Sequence, residues 1–503
     1  NTAIGADSLK NLTAGGNNVV VGSGAFKSAA VGESGNVIIG QGAADLFDEG
    51  TAGGDIDYNI AIGYDAFIGG DLAGNDRQVQ GNIAIGAFAL DATSDNAQTG
   101  TIAIGYAALG ALTSGGSNTA IGYESQLYQT DGANNTTLGY KALRNADNGE
   151  SLNTALGTKA GEFINHASSD GNTIVGTQAM VGGTGARTYN TAMGYRAMGS
   201  GNTQNNIGAE ENVFIGAFSG NGTWTGDTSN YNTAIGAYTM DAALDGALYN
   251  VAVGYQALSA HTEGDYNTVL GAQAGLDSTT GAINTLIGFR AGYDIIGGAE
   301  NTFIGSSAGQ LTTAVVGATL IGREAGGGGV ITTAANYTTA VGFQALYGLT
   351  SGARNTAVGY GSASRLTTGS DNTSLGYGAY LSQDAGHGNH LGGSHNTFIG
   401  SASGDGAYAS TTAVENMTAV GSNTLSGALE GAANGAVAVG KSALSALTSG
   451  TYNTAVGYLS QNANQTGSGL TSVGYNSLLL ATGNDNTAMG REALSSNTSG
   501  ASN

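Results

Sequence analysis

Residues 232–236 read NTAIG. The same phrase stands at 1–5 and 118–122, NTAVG at 355–359 and 453–457, and NTFIG at 301–305 and 396–400. A phrase that returns throughout 503 residues is a structural repeat, and a repeat decides the architecture before any single residue does. The glycine that closes each phrase serves as an anchor. It occurs 27 times, from Gly5 to Gly490, and 11 of the 26 intervals are 17 residues long. The other intervals run from 16 to 24 residues, and the extra residues fall in one place, after the "AL" that follows the glycine and before the next asparagine.

Positions are numbered from this glycine. Position −1 is Ile, Val, Leu or Met in all 27 copies, and position −3 is Thr, Val or Ile in all 27. Residues two apart share one face of an extended strand, and β-branched residues favour that conformation. Position −2 points the other way and is mostly Ala, with Phe at 214, 303 and 398 and Leu at 286 and 320. Position −4 is Asn in 21 copies, and position +1 is Tyr or Phe in 12. Gly, Asn, Thr and Ser are too dense for a helix, and no 3.6-residue apolar period survives. One unit reads as a short strand, a glycine corner, a second short strand and a polar loop. A parallel β-solenoid stacks each coil on the last, so Asn lies on Asn and Ile on Ile. Stacked Asn amides can then bond along the axis as a ladder, with Asn118, Asn232 and Asn355 among its rungs and Gly122, Gly236 and Gly359 at its corners. The expected fold is all-β, a parallel β-roll of about 27 coils over one continuous array, residues 1–503. At about 4.8 Å per coil it would be roughly 130 Å long. Longer intervals should bulge on one side, around 41–58, 65–81, 218–231 and 377–395.

A size rule links two positions. Phe214, Val269, Leu286, Phe303, Leu320 and Phe398 at −2 accompany glycine at +4, at Gly220, Gly275, Gly292, Gly309, Gly326 and Gly404. Units with Ala at −2 usually carry Leu, Met or Phe at +4, as in Ala252 with Leu258, although Ala155 with Gly161 departs from this. Close packing demands such compensation where two side chains share one space. This reading assigns the −1 and −3 rows to the coil interior. It assigns Phe214, Phe303 and Phe398 to a seam between chains, because a thin coil without disulfides needs a further source of apolar burial.

Composition narrows the function. Glycine is 89 of 503 residues, proline and cysteine are absent, and charged residues are 10%. The chain has neither a disulfide framework nor a thiolate metal cage. The formal charge of −22 opposes nucleic-acid binding and docking on anionic lipid. No run of 18 apolar residues offers a membrane span.

NTAIG, NTAVGYxAL and SVGYNSL, taken as repeated phrases, resemble the head repeats of trimeric autotransporter adhesins of the YadA type and the NTAxGYxAL arrays of phage tail-fibre-like proteins. The resemblance covers essentially all 503 residues. It implies a left-handed parallel β-roll, three chains around one axis, and exposure on a cell surface or virion. These units are longer than the usual adhesin head coil.

Few residues suggest chemistry. His387, His390 and His395 crowd one insertion, where three-fold symmetry could gather imidazoles around a metal ion; a polar surface loop is the simpler reading. His166 and His261 are expected on the surface. Asp-rich loops at 54–59 and 483–486 could bind calcium weakly. GGGG at 326–329 precedes no helix, which argues against a phosphate loop. Regular Thr rows can bind ice, but the −3 row is expected inside. Trp224, in an insertion, is either a receptor or glycan contact or an aromatic folded back on the roll. No Ser, His and Asp set clusters, so no enzymatic role is expected, and no cofactor. The expected function is the shaft or head of an extracellular homotrimeric fibre or adhesin that mediates attachment, cut from a longer fibrous protein. The alternative is a self-assembling extracellular filament or sheath.

Overall fold

The computed structural model describes residues 1–47, 55–70, 77–93, 96–147, 149–182, 185–199, 208–224, 226–381, 392–406, 413–429 and 433–503. The chain is an all-β parallel solenoid, with no α-helix among the described residues. It divides into two units, Asn1–Asn250 and Val251–Asn503. In the first unit, thirteen three-residue strands at positions −3 to −1 run from Thr2–Ile4 to Thr233–Ile235. In the second, fourteen run from Val251–Val253 to Thr487–Met489. Strands pair in parallel with like on like, as Thr119 on Thr136 and Ala120 on Thr137 in the first unit, and Leu286 on Phe303 in the second.

The corner explains the invariant glycine. Gly122 has φ +138°, and a Cβ there would lie 2.3 Å from the carbonyl oxygen of Gly139 in the next coil. No side chain fits such an approach. The limb beyond the corner is not the expected second strand. Positions +2 and +4 take left-handed conformations instead, as at Ala107 and Leu109 (both φ 52°) or Gln256 (φ 55°) and Leu258 (φ 50°). Such a conformation costs an ordinary side chain roughly 1 kcal/mol. The turn is held by bonds to its neighbours: Leu109 N–H donates to Ser125 O at 3.0 Å, and Ala107 N–H to Ala87 O at 2.9 Å.

The interior is the reverse of the face expected from sequence. The −2 residues are buried, among them Ala120, Ala234, Ala252, Phe214, Phe303 and Phe398. Positions −1 and −3 are only partly buried, and Ile235, Leu270 and Leu375 keep 38%, 49% and 45% of their surface. The coil is narrow. Alanine fills position −2 at most levels, the turn limb adds residues such as Leu109 and Leu258 at +4, and the aliphatic side chains at −1 lie on the outer face. The inferred meeting of −2 with +4 is correct, but it happens inside one chain. A Cβ on Gly309 would lie 2.7 Å from the Phe303 ring, and one on Gly220 2.5 Å from the Phe214 ring. The departure at Ala155 with Gly161 is explained by neighbouring coils. Ile174 from above and Leu143 from below each stand 3.1 Å from a Cβ at Gly161.

The insertions also differ from expectation, because part of the added chain enlarges the ring. Asp55–Asp57, Gln78–Gln80 and Gln98–Thr99 form a second parallel wall, with Ile56 and Val79 buried. Phe47 is also buried, stacked edge-on against Phe67 at 4.7 Å.

Two predictions follow from the packing. Gly309→Ala should cost about 1–3 kcal/mol in denaturant unfolding, through overpacking against Phe303 and the left-handed backbone. The double swap Phe303→Ala with Gly309→Leu recreates the Ala252–Leu258 pair and should cost clearly less than the sum of its single changes; strict additivity would refute the shared space.

Candidate functional surfaces

The asparagine ladder is the most regular feature. Asn232 N–H and Nδ2 both donate to Asn212 Oδ1, at 2.8 and 3.2 Å, and Nδ2 also donates to Ala247 O at 2.8 Å. Asn118 Oδ1 accepts from Asn135 N–H at 2.9 Å, and Asn118 Nδ2 donates to Gly132 O at 2.7 Å. Asn355 Oδ1 accepts from Asn372 N–H at 3.0 Å, and Asn355 Nδ2 donates to Gly369 O at 2.7 Å. Each carboxamide thus ties its coil to the next at two points, the strand and the opposite wall.

Two further ladders were missed. Thr at +8 donates its hydroxyl to the backbone of the next coil, as Thr113 to Thr130 O at 2.8 Å and Thr350 to Thr367 O at 3.0 Å. Position −6 offers a side-chain oxygen to the coil before it: Ser151 Oγ accepts from Ala133 N–H at 3.1 Å, and Asp170 Oδ1 from Ser151 N–H at 2.7 Å. The recurring LTSG at 112–115, 349–352 and 447–450 was the available signal for the threonines.

Other candidates change place. Phe214, Phe303 and Phe398 are fully buried within their own chain and form no seam between chains. Trp224 is 5% exposed, packs 5.6 Å from the Phe214 ring and donates Nε1–H to Gly220 O at 3.2 Å. It fills the core and does not present itself to a receptor. His261 is buried, not superficial, with Nε2 3.0 Å from Gly264 O. Burial holds its pKa below the ordinary value, with the nearby backbone acting weakly in the other direction. His387 and His390 lie outside the described residues. His395 is exposed at −5, 3.8 Å from Asp371, which is also held bidentately by Arg354 at 2.7 and 2.8 Å. Asp57 accepts from Ser34 N–H at 2.7 Å, and Asp55 from Gln80 Nε2 at 3.2 Å, so both aspartates of the first Asp-rich loop serve backbone or neighbour contacts. Among the described residues no three His, Cys, Asp or Glu side chains gather as a metal site.

The outer strand face remains. In each unit, Thr or a β-branched residue at −3 and an aliphatic at −1 form a floor, and in five units it is flanked by a tyrosine at −5 and a Tyr or Phe at +1. One coil presents Tyr189, Thr191, Met193 and Tyr195; another Tyr452, Thr454, Val456 and Tyr458. The flanking tyrosines are exposed, Tyr189 by 61% and Tyr452 by 74%. Some −5 rings settle over glycine in the coil below: a Cβ on Gly171 would lie 2.5 Å from Tyr189, and one on Gly435 2.9 Å from Tyr452. Charge is sorted around the coil. Positions +1 to +6 hold eleven of the 14 basic residues and twelve of the 36 acidic ones, leaving three basic against 24 acidic for the loop side. The turn limb is therefore near neutral, and the loop rim carries almost all of the net charge.

No protein-family model matches the chain, and no curated protein matches it.

Two predictions test the burial. Trp224 should emit as an apolar-environment indole and resist aqueous quenchers; a red-shifted, freely quenched emission would return it to the surface. At His261 the folded pKa lies below the unfolded value of about 6.5. The unfolded chain takes the extra proton first, so stability is full above about pH 6.5 and falls as pH drops through it. His261→Gln should flatten that limb of the unfolding-versus-pH curve.

Proposed function

We propose that the chain is the shaft or head of an extracellular fibre, assembled as a homotrimer and displayed on a cell surface or virion for attachment. The observation that carries this reading is the outer strand face. An aliphatic residue stands at −1 in all 27 copies although its row is partly exposed. Solvated positions do not need such constancy, and soluble monomers rarely expose contiguous apolar patches beyond a few hundred Å². A face of two β-branched or aliphatic residues per coil, edged by tyrosine, exceeds that size within a few coils. Copies of the same chain are the natural cover, because their rows share the coil spacing. The resemblance of the repeats to trimeric fibre heads favours three copies. The acidic loop rim stays outside such a bundle and is the surface left for a host receptor or glycan. In this reading the chain serves as structure and performs no catalysis.

Mass measurement of the intact protein at micromolar concentration tests the assembly. A trimer is expected, and Ile304→Asp should dissociate it while the coils stay folded, because its charge enters the covered face. Phe303→Asp should unfold the local coils instead. A well-folded monomer at all concentrations contradicts the assembly, and end-to-end polymers of growing length would favour the filament or sheath.

A further inference from the structure

The aromatics at +1 form rails in which consecutive rings lie face to face. Tyr106 and Tyr123 have centroids 5.2 Å apart with planes 13° from parallel, and Tyr123 and Tyr140 are 5.5 Å apart at 17°. In the second unit, Tyr360 and Tyr377 stack at 5.2 Å and 13°. All five rings are exposed, by 43% to 63%. Each pair occupies the same position on adjacent coils, so equivalent ring carbons neighbour one another. Their hydroxyls are set side by side at the surface, within reach of a small oxidant.

We propose that these rails are sites of oxidative cross-linking, at which peroxide and a haem peroxidase join consecutive tyrosines of one chain into dityrosine and so staple coil to coil. Each phenol gives up one electron and its hydroxyl proton. The two phenoxyl radicals carry spin at the carbons ortho to oxygen and form one carbon–carbon bond there. The two displaced ring hydrogens leave as protons while two others return to the oxygens, restoring both phenols. Two electrons and two protons in total reduce one hydrogen peroxide to two waters. Coupling of free phenoxyls is limited by encounter; here the partner ring is already in place, which raises its effective concentration by orders of magnitude. The Tyr123 hydroxyl donates to Glu124, whose carboxylate is the local proton acceptor. Burial works against ionisation of Glu124, but bonds from Arg144 and Tyr123 outweigh it and keep the carboxyl below its ordinary pKa. The rails also contain their own control. Tyr64 has Ala87 at +1 of the next coil and meets Phe88 from +2 edge-on, at 5.4 Å, and phenylalanine has no hydroxyl to oxidise.

Treatment of the dilute folded protein with hydrogen peroxide and a haem peroxidase, followed by intact-mass and peptide analysis, tests this. The expected product keeps the mass of one chain less two hydrogens per link, with linked peptides joining Tyr123 to Tyr106 or Tyr140, and Tyr360 to Tyr377. Tyr64 should remain unlinked. Tyr123→Phe, a change that the +1 row already accommodates at Phe343, should abolish both links at that rail and leave the Tyr360–Tyr377 link intact. Links only between separate chains, or oxygen addition without a linked pair at these residues, would overturn the proposal.

Discussion

One hydrogen-bonding group governs the coil: the carboxamide at −4. A coil of about 17 residues has little interior, and its backbone must find partners in the coils above and below. The Asn oxygen takes the backbone N–H and the side-chain N–H of the following Asn, as in Asn301 on Asn284 at 3.1 and 3.0 Å. Its own Nδ2 crosses the ring to a carbonyl of the opposite wall, as Asn284 does to Gly298 O at 2.8 Å. The ladder therefore fixes both the coil spacing and the coil width. A buried carboxamide left unpaired costs about 1–3 kcal/mol, so each rung is committed to a neighbour at the same height.

That width has consequences elsewhere. The interior admits mostly alanine at −2 and +3, and the aromatic residues Phe214, Phe303 and Phe398 at −2 only where +4 is glycine. It forces the turn limb into paired left-handed residues and the corner into glycine. Where the ladder widens, as at Asp55–Asp57 and Gln78–Gln80, larger residues such as Ile56 and Val79 enter. The aliphatic row at −1 is left outside by the same restriction, and its partly exposed outer face results from a core too narrow to hold it.

The repeat, the parallel register and the Asn rungs were legible in sequence, because each is a periodic identity. The pairing of −2 with +4 was legible too, and its meaning was misread. Compensation between Phe303 and Gly309 marks a close-packed interior, whereas Ile, Val, Leu and Met interchange at −1 without any partner changing. Hydrophobicity favoured Ile over Ala as the inner residue, and size constraint decided otherwise. His261 was read as exposed, and Trp224 as either a surface contact or folded back, because polar loop residues surround them. Their burial depends on how a longer coil folds back, which periodicity does not encode. Left-handed leucines such as Leu109 carry no local sequence signal, since their conformation is imposed by the neighbouring coil.

The ladder supplies its own internal comparison. The −4 amides of Asn284, Asn301 and Asn372 each donate to the carboxamide of the preceding coil, at 3.0, 3.1 and 3.0 Å. Asn355, Asn453 and Asn486 follow coils with Thr338, Ala436 and Leu470 at that position, where there is no carboxamide. Residue-resolved native-state hydrogen exchange of these backbone amides is the most direct measurement. The ladder account predicts slow exchange at 284, 301 and 372 and markedly faster exchange at 355, 453 and 486. Equal protection across the two sets would contradict it.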